Sequence, residues 1–131
     1  MVEVLKKELD LSFQEAVDAV EKAVKEEFSV LMVKSIDEVI KKNMDLEDYP
    51  LKYTTILACG PELAKMALDV SEDVGSLMPC SFSVYEKSGR VFASHVSIMK
   101  IASEMGIADS GGMKPVIAKT GEKVEKVWNK I

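Results

Sequence analysis

Two short runs, Leu77 to Glu86 and Val91 to Val96, flank the tetrapeptide Lys87-Ser88-Gly89-Arg90. A two-residue turn between alternating runs is a strong short-range signal for a β-hairpin. With Ser88-Gly89 as that turn, Lys87 pairs with Arg90 and the register of the whole hairpin follows. Val84 falls opposite Ala93, Phe82 opposite His95, and Cys80 opposite Ser97. Side chains alternate between faces, so a one-residue slip would send His95, the only histidine, to the other side of the sheet. In this register His95 joins Cys80 on the apolar face as a diagonal neighbour, roughly 5–8 Å away.

Helical spacing organises much of the remainder. Ser12-Phe13-Gln14-Glu15 is a capping box, in which a serine hydroxyl and a glutamate carboxylate satisfy backbone N–H groups at a helix start. Ala16, Val17, Val20, Ala23 and Val24 then form one apolar stripe reaching about Glu27. Glu3 to Leu11 reads as a first strand, and Phe28 to Val33 as a short buried one. Ser35-Ile36-Asp37-Glu38 repeats the box and opens a second helix lined by Ile36, Val39 and Ile40. A polar loop from Asn43 to Leu51 leads to a strand over Tyr53 to Cys59. Gly60-Pro61-Glu62 opens a third helix, with proline where its missing N–H loses no bond. After a loop from Ser71 to Gly75 comes the hairpin, with proline inside its first strand. A short helix over Ile98 to Met105 and a glycine-bearing loop at Asp109-Ser110-Gly111-Gly112 follow. The last helix, after Pro115, carries the stripe Ile117, Thr120, Val124, Val127 or Trp128, and Ile131.

The order βαβαβαββ with terminal helices predicts an α+β fold, a two-layer sandwich in which helices pack on a mixed sheet. With 131 residues and neither repeat nor linker, the chain reads as one domain over residues 1–131, large enough for a core of its own. A formal charge of −5 argues against nucleic acid, which needs a basic face. No apolar stretch approaches the ~18–20 residues that span a bilayer. The first eight residues mix charge where a signal peptide would be apolar. These features predict a cytoplasmic protein with no membrane partner.

One more pattern lies in the middle of the chain. Ile56-Leu57-Ala58-Cys59-Gly60-Pro61-Glu62 runs into the helix Leu63-Ala64-Lys65-Met66-Ala67-Leu68, followed by Leu77-Met78-Pro79-Cys80 and Val84-Tyr85-Glu86. This resembles domain-of-unknown-function family 302 (DUF302), whose members carry a Cys-Asn-Pro turn, an Ala-x-x-Ala-Leu helix, a Leu-Pro-Cys-Asn strand and a Val-x-Val-Tyr-Glu strand end. Gly60 and Ser81 stand where those motifs have asparagine, and Glu27 where a glycine commonly precedes the Phe-x-Val strand. The resemblance spans Ser12 to the C-terminal helix. It implies a small α/β sandwich, a homodimer, and an intracellular setting.

Chemistry concentrates on three side chains. Cys59 ends a strand before a helix N-terminus, where unpaired N–H groups lower a thiol pKa and favour thiolate chemistry; the alternative is a small buried hydrophobe. Cys80 follows a strand proline that suggests an edge or a bulge, features found beside functional sites; its alternative is core packing. His95 beside Cys80 would be an activating base or a second ligand for a metal or haem iron, or else a lone histidine at the sheet end. No metal site is expected, because the ligands lack the close-spaced pairs of zinc sites. A Cys59–Cys80 disulfide is excluded if the third helix is a crossover between parallel strands, and allowed if the Ser71–Leu77 segment returns the chain. Asp109 to Lys114 is a weak match to an anion-binding nest and more simply a loop.

The expected function is therefore a non-enzymatic, dimeric binding domain. It would hold a small molecule or cofactor, haem among them, near Cys59, Gly60 and Pro61, with Cys80 and His95 as further binding residues. A thiol redox or thiol-carrier protein using Cys59 or Cys80 is the second expectation, and a purely structural interaction module the third.

Overall fold

The computed structural model describes residues 2–131. In chain order its elements are β1 (Val4–Leu9), α1 (Phe13–Glu27), β2 (Ser29–Ser35), α2 (Ile36–Asn43) and β3 (Lys52–Cys59). These are followed by α3 (Pro61–Val70), a 3₁₀ turn (Glu72–Leu77), β4 (Cys80–Lys87), β5 (Arg90–Val96), α4 (Ile98–Glu104) and α5 (Ser110–Trp128). The strands form one five-stranded sheet in the order β1-β5-β4-β3-β2. The α+β two-layer class stands. Every strand pair is antiparallel, however, where a mixed sheet was expected. The physical reason lies after α3: the 3₁₀ turn doubles the chain back, so β4 runs beside β3 in the opposite sense. Ala58 consequently pairs with Cys80, and both cysteines lie at the same end of the sheet.

The hairpin of β4 and β5 has the register read from its turn. Lys87 pairs with Arg90, Val84 with Ala93 and Phe82 with His95. Ser88 and Gly89 both take positive φ, 54° and 76°. That is the turn geometry whose twist matches flanking antiparallel strands. Pro79 lies just outside β4, so it removes no ladder bond, and β4 is a central strand with no edge or bulge at Cys80. The bulge occurs instead in β2, between Val30 and Met32. This segment was expected to be buried, but β2 is an edge strand, and Leu31 and Met32 are 59% and 53% exposed. The extra residue breaks the alternation, so the apolar run cannot turn wholly inward.

The helices cover one face. At the start of α1 the capping box is complete: Glu15 N–H donates to Ser12 Oγ at 3.2 Å, and Ser12 N–H to Glu15 Oε1 at 3.1 Å. The α1 stripe meets Ile56, Phe82, Val84 and Val127 in the main core. A second cluster joins α3, the 3₁₀ turn, α4 and α5 through Ala67, Val74, Met99, Met113 and Val116. The last helix begins earlier than expected, at Ser110, so Asp109 to Lys114 is its cap and first turns rather than a loop. Asp109 Oδ2 accepts from Gly112 N–H at 2.9 Å, which fills that helix N-terminus with the chain's own carboxylate. Pro115 lies inside the helix. A helical proline crowds the carbonyl four residues back, and here that residue is Gly111, whose backbone yields most readily.

The far end of α5 is tied to the sheet. Lys7, on the inner face of β1, donates to the carbonyls of Trp128 at 2.7 Å and Ile131 at 3.0 Å. A lysine among the terminal carbonyls of a helix satisfies acceptors that have no helical partner. This pins the C-terminal half of α5 above the β1–β5 edge and sets the roof of the site described next.

Candidate functional site

His95 is 3% exposed on the inner face of β5. Its ring stacks on Phe82 with centroids 4.2 Å apart, and its Nδ1 lies 2.8 Å from the Ser81 carbonyl oxygen. A carbonyl only accepts, so Nδ1 carries the proton. Burial lowers the His95 pKa from the ordinary 6.5, opposed by the Ser81 hydrogen bond. The neutral ring therefore presents a bare Nε2 acceptor, directed away from Ser81. That atom has no partner among the described residues, and neither has the hydroxyl of Thr120, 5% exposed on α5.

Both side chains line one cavity of about 300 Å³ between the β1–β5 edge and α5. Leu5, Ile117, Val124 and Trp128 make its walls apolar, while Glu3, Lys100 and Glu125 bring charge to its boundary. Gly121 also lines it, and a Cβ built there meets no heavy atom within 4 Å. An apolar chamber with a few polar groups is the usual composition of a small-molecule site, and its size falls at the lower end of such pockets.

The cysteines belong to a different place. Cys59, Gly60 and Cys80 line a cavity of about 20 Å³, room for roughly a single water. Pro61 lies outside it, along a shallow surface groove that Gly60 shares. Both thiols are free. The Cys80 thiol donates to the Ala58 carbonyl at 3.2 Å. Burial pushes its pKa up to about 11, partly offset by a hydrogen bond from Cys80's own backbone, with the neighbouring Cys59 adding to the rise. His95 and Cys80 do share the inner face, as the register requires, but they line separate cavities. Thr120 borders both. Among the described residues no three His, Cys, Asp or Glu side chains converge to hold a metal ion.

Thr120, Gly121 and Trp128 gained no role from the sequence beyond places on or near a helical stripe. The available signal was a polar threonine at a stripe position followed by a glycine in mid-helix. A hydroxyl there must be satisfied or left orphaned, and the missing side chain at the next residue leaves space.

The arrangement defines a class: an open-faced antiparallel α+β sandwich with a histidine-floored cavity under its last helix. The sequence profile of the family described as "Domain of unknown function DUF302" matches residues 5–131. The chain belongs to that family. A similar fold is seen in the crystal structure of the uncharacterized conserved protein DUF302 from Bacillus stearothermophilus, with a TM-score of 0.82 at 20% identity. The match covers 97% of this chain and 96% of that one. No curated protein matches the chain.

The orphaned Thr120 hydroxyl gives a direct stability test. Thr120→Val replaces it with an isosteric methyl and is expected to hold stability or raise it by up to about 1 kcal/mol in urea unfolding. A loss of about 1 kcal/mol or more would mean that the hydroxyl has a protein partner in solution.

Proposed function

We propose that this domain binds a small apolar molecule in the cavity between His95 and α5, without chemical turnover. The observation that carries the reading is the pair of buried, unpartnered polar atoms, His95 Nε2 and Thr120 Oγ1, on side chains lining one chamber. Buried polar groups in folded proteins are nearly always hydrogen-bonded, so two orphaned ones on side chains that border a single largely apolar cavity support a binding role for that cavity. A bare imidazole nitrogen is also an iron ligand. A porphyrin is far broader than this chamber, however, so the proposed guest is smaller than haem. A thiol redox role for Cys80 gains no support from a protonated, hydrogen-bonded sulfur held far above the physiological range. No helix among the described residues is long and apolar enough to cross a membrane.

Trp128 is the only tryptophan and lines the cavity, so its emission reports on occupancy. The probes are a neutral alcohol (borneol), a neutral ketone (camphor), an anion (cyclohexanecarboxylate) and a cation (cyclohexylammonium). At least one is expected to shift Trp128 emission saturably in the native protein and not in Gly121→Leu, whose new side chain fills the chamber. No response to any of the four contradicts the reading.

We also propose that the domain works as a homodimer through the outer face of the sheet. Support comes from an aromatic ladder on that face: Tyr53 stacks on Tyr85 at 5.7 Å and Tyr85 on Phe92 at 5.3 Å. None of the three belongs to either core cluster. The row is half-buried, with Lys6 over Tyr85 and Arg90 over Phe92, and aromatic and arginine side chains are enriched at interfaces. Light scattering is expected to give twice the 14.4 kDa chain mass, falling to the single mass in Tyr85→Lys. A native protein at the single mass at all concentrations contradicts the dimer.

A further inference from the structure

The chamber under α5 is graded from dry to wet. Of the side chains that line it, His95, Thr120 and Val124 are buried, whereas Glu3, Lys100, Glu125 and Asn129 are exposed. A guest can therefore place an apolar body inside and keep a charged end in water at the opening. Charge at that end escapes the desolvation cost that an enclosed site would impose.

The polar groups at the opening fall into two chemical sets on different elements. Lys100 belongs to α4, and its backbone N–H donates to Ser97 Oγ at 3.3 Å, which keeps the two residues within one turn. The Ser97 hydroxyl accepts that bond, so its own proton is available. An ammonium and a hydroxyl donor together suit a carboxylate. The other set consists of acceptors. Glu125 and Asn129 stand four residues apart along α5, a spacing that makes side chains neighbours, and Glu3 adds a second carboxylate just before β1. These suit an ammonium, which carries three donors and no acceptor. None of Glu3, Lys100 and Glu125 forms an ion pair among the described residues.

A neutral guest uses neither set, and a guest of one charge leaves the other set idle. A zwitterion uses both. At about 300 Å³, the chamber is about twice the ~150 Å³ cavity that holds benzene in an engineered protein core, which is room for an aromatic or branched side chain. We infer that the ligand is an apolar α-amino acid. Its side chain occupies the chamber, its carboxylate faces Ser97 and Lys100, and its ammonium faces the acceptors Glu3, Glu125 and Asn129. This rests on the cavity reading proposed above and specifies the class of its guest.

The test compares phenylalanine with phenethylamine, which lacks the carboxylate, and hydrocinnamate, which lacks the ammonium, by calorimetry and Trp128 emission. Phenylalanine is expected to bind at least about fivefold more tightly than either analogue at low salt, the scale of one exposed ion pair. The preference should shrink as salt is raised, because charges at an open mouth are screened. Lys100→Met is expected to remove the advantage over phenethylamine without weakening phenethylamine itself. The Glu3→Gln, Glu125→Gln double variant is expected to remove the advantage over hydrocinnamate in the same way. All three substitutions are at exposed positions, and a merely structural effect would weaken every ligand together. Phenylalanine binding no more tightly than both analogues overturns the zwitterion assignment, and so do variants that leave these ratios unchanged. In either case a response to any of the four earlier probes keeps the cavity reading intact. Silence from those four and from all three compounds here removes the cavity reading itself.

Discussion

The β4–β5 register is the constraint from which the site follows. Two residues with positive φ, Ser88 and Gly89, close the hairpin, and the pairing of Phe82 with His95 is counted out from them. That pairing stacks the imidazole on a fully buried phenyl ring and brings Nδ1 to the Ser81 carbonyl on the adjacent strand. Once Nδ1 is committed, the tautomer and the direction of Nε2 are settled together. A slip of one residue would turn the only histidine outward and leave the cavity without its acceptor.

The roof of the site depends on a longer-range contact. Lys7 on β1 holds the carbonyls at the end of α5, so strand and helix, more than 120 residues apart in sequence, share a lysine. That tie adds to the packing of Val124, Val127 and Trp128 and to the contacts of Lys123 and Lys130 with Glu26 and Glu27 on α1. The cavity is thus a gap between two well-anchored elements. Its width reflects the small residue at position 121 and the modest wall residues beside it.

Much of this was legible from local pattern. The capping box at Ser12, the stripe of α1, the short helix after Ser35 and the hairpin register all rest on contacts within a few residues, which sequence spacing reports well. What escaped depends on distant parts of the chain. The direction of β4 relative to β3 is set by how far the 3₁₀ turn bends the chain, so a parallel crossover remained open from sequence. The apolar β2 run looks buried in isolation but lies at an edge and carries a bulge. The glycines and proline at the start of α5 read as a loop, because the Asp109 cap and the Gly111 carbonyl make a helix feasible only in combination. The cysteines drew attention as reactive atoms, yet the larger space is bordered by Thr120, a residue whose importance lies in a hydrogen bond it lacks. Local chemistry pointed to sulfur, and packing placed the space beside the histidine.

The central claim is that His95 is neutral, with its proton on Nδ1 and a bare, unpartnered Nε2. With one histidine in the chain, nitrogen-15 NMR of the imidazole needs no assignment by mutation. At neutral pH the account predicts a proton-bearing Nδ1 coupled to its ring protons and a pyridine-like Nε2. A spectrum showing the Nε2–H tautomer, or a doubly protonated ring at pH 7, would contradict it.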